Sequence, residues 1–139
     1  MTDKILVFTT AGSEKNAKNI AETLVKLRLA ACVNILPRLT SIYRWEEKIE
    51  TAEEWLLIIK TIRKNFTAVR DAIKELHTYE LPECVSVPIE DGSEAYLKWI
   101  ANQCRADTPV RLAGSLKKAN ICGAAGTRAG VPALHERLI

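Results

Sequence analysis

A chain of 139 residues, 47% hydrophobic and 27% charged, can bury one core but lacks any apolar run long enough to cross a bilayer. Its net charge of +3 is unevenly spread. Residues 1–103 hold 14 Lys/Arg against 15 Asp/Glu, and residues 104–139 hold six against two. A near-neutral first part lacks the electrostatic footprint of a nucleic-acid binder. All eight Phe, Trp and Tyr residues precede position 100, while four of the six glycines follow 113. This divides the chain into a folding domain, 1–103, and an extension, 104–139, expected to be disordered or foreign to the native protein. Cys32, Cys84, Cys104 and Cys122 are widely spaced, without a CxxC pair. Together with the absence of a basic leader in "MTDKILVFTT", this points to free thiols in the cytoplasm.

Ile5–Thr10 reads as a buried strand, after which Ser13 can cap a helix carrying Ala17, Ile20, Ala21, Leu24 and Leu27 at helical spacing. Ala31 to about Trp45 is extended, with Pro37 predicting an edge position or a bulge. "RWEEKIE" turns the chain back, and Trp55–Ile59 forms the returning strand. Phe66, Val69, Ile73 and Leu76 line a second helix ending near His77. Val85, Val87 and Ile89 alternate as the last strand, and Ser93 starts a short helix with Tyr96, Leu97 and Ile100 inward.

The order β-α-β-β-α-β, with a closing helix, predicts an α+β sandwich with both main helices on one face of a four-stranded sheet. Two helices cover one face only, yet "ILVF" and "WLLII" are apolar on both. Each such side chain left in water forgoes roughly 1.5–3 kcal/mol. A second copy of the chain is the simplest cover, so an oligomer is expected.

The stretch "KELHTYELPECVSVPIEDG" gathers His77, Glu80, Glu83 and Cys84 around Pro82. A neutral imidazole, a thiolate and a carboxylate suit copper or zinc. Alternation, however, puts Glu83 and Cys84 on opposite strand faces. Only one of them can join His77, which makes any such binding weak. A histidine closing a helix also favours the dipole and bonds free carbonyls. No P-loop, HExxH, nucleophile elbow or dinucleotide fingerprint appears, so the chain reads as non-enzymatic and without an organic cofactor.

"LAACVNILPRLTSIYRWEEKIE", "LLIIKT", "ELHTYELPE" and "VPIEDGSEAYLKWI" resemble the CutA (CutA1) family of divalent-cation tolerance proteins from the first strand to about Ile100. The resemblance implies a ferredoxin-like fold, a PII-like homotrimer, and weak binding of copper(II) or another divalent metal through His77. Beside His77, a ligand cleft of Trp45, Lys60, Tyr79 and Glu83 is expected. Trp45 suits a subunit interface even better. The partners expected are further copies of the chain, with neither nucleic acid nor membrane. A PII-like small-anion sensor and a trimeric scaffold without its own ligand are the alternatives. The chain departs from the family pattern at Glu47, where a turn glycine is common, and at Thr78 and Cys84. Thr9 and Leu76 stand where a copper-binding member has cysteine and histidine.

Overall fold

The N-terminal run of β-branched and aliphatic residues pairs as a strand on both sides, and the rest of the architecture is built outward from it. The computed structural model describes residues 2–105, and the expectation of a disordered or foreign tail falls almost wholly outside the described residues. In chain order the elements are β1 (Lys4–Ala11), α1 (Glu14–Lys26), β2 (Cys32–Trp45), β3 (Lys48–Ile62), α2 (Phe66–Leu76), β4 (Val85–Pro88) and α3 (Glu94–Gln103). A single 3-10 turn, Arg63–Asn65, links β3 to α2. The sheet order is β2-β3-β1-β4, with every neighbour antiparallel.

Two of the helices begin where serine can accept from a free backbone N–H. Ser13 accepts from Asn16 N at 3.1 Å, and Ser93 accepts from Tyr96 N at 3.3 Å. α1 and α2 lay their apolar stripes on one face of the sheet. There Ile5, Val7, Leu57 and Ile59 meet Ile20, Leu24 and Ile73 in the main core, all essentially inaccessible to water.

The returning strand is far longer than Trp55–Ile59. A two-residue turn at Glu46–Glu47 lets pairing start at once with Trp45↔Lys48, so the polar segment 48–54 joins the ladder. Both turn residues have positive φ, 46° and 66°, which suits the twist of a tight hairpin. With glutamate rather than glycine there, the backbone bears a cost of about 1–2 kcal/mol per residue. On β2, Pro37 lies in the register shift between Leu36 and Leu39, with Arg38 at φ 53°. Both sequence expectations for this proline are met, since β2 is also an edge strand.

Among the described residues, the opposite face of the sheet carries no helical layer of comparable extent. Cross-strand pairs Leu6↔Lys60, Phe8↔Ile58 and Thr10↔Leu56 lie there, flanked by Val85 and Val87, which are 49% and 45% exposed. α3 reaches only one end of this face. Its Ile100 packs with Ala31, Ile62 and Cys104 in a second small core. Tyr96, expected inward, is exposed instead, because its hydroxyl accepts from Lys60 Nζ at 3.2 Å and its ring stacks on Trp99. The packed body runs two residues past position 103. Cys104 is buried with its Sγ 3.7 Å from Thr61 Oγ1, and Arg105 N–H donates to Arg28 O at 2.9 Å. No helix among the described residues is long and apolar enough to cross a membrane.

Candidate functional site at the corner between α2 and β4

α2 stops at Leu76, and His77 turns the chain extended, with φ −75° and ψ 144°. The following loop crosses the end of β1 before β4 begins. His77 is buried, and both of its ring nitrogens are engaged. Nδ1 accepts from the Tyr79 N–H at 3.0 Å, and Nε2 lies 2.6 Å from Thr10 O.

Tyr79 continues the same chain of contacts. Its hydroxyl donates to Glu54 Oε2 at 3.0 Å, and Glu54 is only 3% exposed. Burial first, then the charge of Glu54 and the bond to it, push the Tyr79 phenol far above its ordinary value. It therefore stays a donor throughout the physiological range. The approach passes Gly12 so closely that a Cβ there would lie 2.6 Å from Tyr79 Oη. Tyr43 faces the same cluster, its phenol also pushed up by burial and by the charges of Glu50 and Glu54.

Glu83, in the loop just before β4, turns toward Thr10. Cys84 packs against the main core, and burial pushes its thiol up, so it is held protonated. Glu83 is exposed as a residue. Even so, desolvation of its carboxyl group, followed by the charge of Glu54, pushes its pKa up against the opposing pull of the Thr10 side chain. A carboxyl group whose folded-state pKa is raised stabilises the fold below the ordinary carboxylate range and loses that contribution as pH rises through the raised value. Glu83→Gln should therefore stabilise the protein near neutral pH. Exposure limits the gain to a few tenths of a kcal/mol. The gain should close as pH falls toward about 4. Equal stability of the two proteins at every pH in denaturant titrations would contradict this.

The four residues expected to share a cleft do not converge within one subunit. Tyr79 and Glu83 meet at this corner. Lys60 lies six residues along β3 from Glu54, about 20 Å at strand rise, beside Tyr96. Trp45, opposite Lys48, lies about as far away in the other direction. Its Nε1 is buried without an acceptor among the described residues. Glu54, Gly12 and Thr10 are the corner residues that sequence reasoning missed. A charged residue on a strand reads as solvated, whereas Glu54 is buried and bonded to Tyr79.

A copper-type centre does not fit these residues. His77 has no idle nitrogen, Cys84 packs against the core, and Glu83 turns toward Thr10. Thr9 and Leu76, at the other ligand positions of the resemblance, are both buried in apolar packing. Among the described residues, no three His, Cys, Asp or Glu side chains are grouped as a metal ion would need.

A family model described as CutA1 divalent ion tolerance protein matches residues 5–103. The chain belongs to that family. The divalent-cation tolerance protein CutA of Thermus thermophilus is 46% identical over 95 residues, covering 68% of this chain and 92% of that protein. Human protein CutA is 45% identical over 93 residues, covering 67% of this chain and 52% of its own length, so this chain spans about half of that relative. The crystal structure of CutA from Xylella fastidiosa superposes with a TM-score of 0.73 at 40% identity, covering 75% of this chain and all of that one. The CutA1 likeness carries the ferredoxin-like fold described above. It does not carry a single compartment, since a relative from Archaeoglobus fulgidus (41% identical, TM-score 0.70, covering 72% of this chain and 97% of that one) is described as periplasmic. The expectation of a cytoplasmic protein is thus left resting on this chain's own sequence.

Proposed function

We propose that this chain works as a homotrimer, a non-catalytic binding protein of the CutA1 family that meets divalent cations weakly rather than holding a resident ion. The observation that carries this reading is the apolar sheet face bearing Leu6, Phe8, Leu56 and Ile58, with Leu36, Val85 and Val87 exposed around it. Monomers rarely leave so continuous an apolar surface in water. The number three follows the family resemblance. Assembly also supplies what one subunit lacks, because Trp45 and Lys60 can approach a Tyr79–Glu83 corner only if they belong to a neighbouring copy. Divalent-cation tolerance is what the relatives are named for. Cytoplasmic residence fits Cys32, Cys84 and Cys104, which are free thiols. The small-anion alternative would rest on Lys60, whose ammonium is already held by the Tyr96 hydroxyl.

Light scattering at micromolar concentration tests the assembly. The expected mass is three times that of the 15.5 kDa chain. A stable species at the single-chain mass would remove the basis for this reading.

A further inference from the structure

Lys4 O accepts from the Ile89 N–H at 3.0 Å, so the even-numbered carbonyls of β1 point toward β4. That strand is short. Its first residue, Val85, pairs with Phe8, and the carbonyl of Thr10 lies beyond its end with no strand partner on that side among the described residues. His77 Nε2 reaches this carbonyl at 2.6 Å. A carbonyl only accepts, so Nε2 carries the ring proton. An amide only donates, so Nδ1, which receives the Tyr79 N–H, carries the lone pair. The two contacts together fix one neutral tautomer.

A metal ion at Nδ1 would evict the Tyr79 amide, and one at Nε2 would displace a proton already given to Thr10 O. Either event removes a hydrogen bond from a buried corner, where no three His, Cys, Asp or Glu side chains are grouped among the described residues. We propose that His77 is a positioning residue that completes the sheet edge where β4 runs out and sets Tyr79 in reach of Glu54, and that it is not a metal ligand. The imidazole thus links three elements. It bonds the end of β1 through Thr10 O, it holds the loop through the Tyr79 amide, and through the Tyr79 hydroxyl it fixes the loop to Glu54 on β3. The Tyr79 ring lies 4.5 Å from the imidazole, tilted by 39°. Cations that affect this protein act through some other surface. This holds whether or not the chain forms a trimer, because every contact involved lies within one subunit.

The test is nitrogen NMR of the imidazole in the full chain carrying His135→Ala, which removes the other histidine. Spectra with and without excess zinc chloride should both show the Nε2–H tautomer, with neither ring nitrogen shifted. In parallel, His77→Ala should speed hydrogen exchange at the Tyr79 amide at least tenfold. His77→Gln, which keeps an acceptor and a donor, should restore much of the protection. Zinc affinity by calorimetry should be equal in wild type and His77→Ala. A zinc-dependent shift of either ring nitrogen, or unchanged Tyr79 exchange in His77→Ala, overturns the assignment.

Discussion

Ile58→Asp should convert the assembled protein into folded single chains. Ile58 lies in the interior of β3, paired with Phe8 and Asn34, on the sheet face that the two main helices do not cover. In a lone subunit the new carboxylate meets water, so the helix-side core is untouched and the circular dichroism spectrum should be retained. In the assembly the same carboxylate would be buried among apolar side chains without a partner, at a cost of several kcal/mol. Each ~1.4 kcal/mol is tenfold in the association constant. The weakening should therefore exceed a hundredfold, enough to see as a fall in mass by light scattering. A variant that keeps the wild-type mass would show that this face is not the interface.

Tyr79→Phe should be the most damaging single-atom deletion in the corner. It removes the donor from a carboxylate that is almost wholly buried, and such charge-assisted bonds contribute about 1.5–3 kcal/mol. At fixed protein concentration the melting temperature should fall on the order of 10 °C. Gly12→Ala attacks the same bond sterically, since its methyl would lie 2.6 Å from the Tyr79 hydroxyl. Once that hydroxyl is gone the methyl loses its closest neighbour. The double variant should thus be less destabilised than the sum of the two singles. Strict additivity, or a Tyr79→Phe protein as stable as wild type, would mean that the Tyr79–Glu54 contact does not hold the corner.

Periodicity made the helices and the order of the strands legible. Ile20, Leu24 and Ile73 fall where helical spacing requires, and both serine caps are visible as residues. The length of β3 was hidden because "KIETAEE" carries no apolar alternation. Its pairing comes from the two-residue turn rather than from hydrophobic pattern. The corner was half legible. Tyr79 and Glu83 stood out through family resemblance, but the partners that organise them lie far off in sequence. Thr10 is 67 residues from His77, and Glu54 is 25 from Tyr79. No local signal announces such pairs. Within one subunit the residues expected to form the cleft are spread along the sheet, with Lys60 toward one end of β3 and Trp45 beside its other end on β2.

The sheet order also sets the tempo of folding. β2 and β3 can zip from their tight turn with almost no loop to close, a microsecond-scale event in isolated hairpins. The central strand β1 has no such neighbour. It must find Ile62 from Lys4 and Pro88 from Ile5, contacts that close loops of more than fifty and eighty residues. Loop closure of that kind precedes the energy it releases, which slows proteins dominated by distant contacts. Until the first strand of the chain is captured, the apolar face of the hairpin has no central strand to pack beside. Under the proposed assembly, the face that would join copies is also the one open to joining them wrongly during that interval.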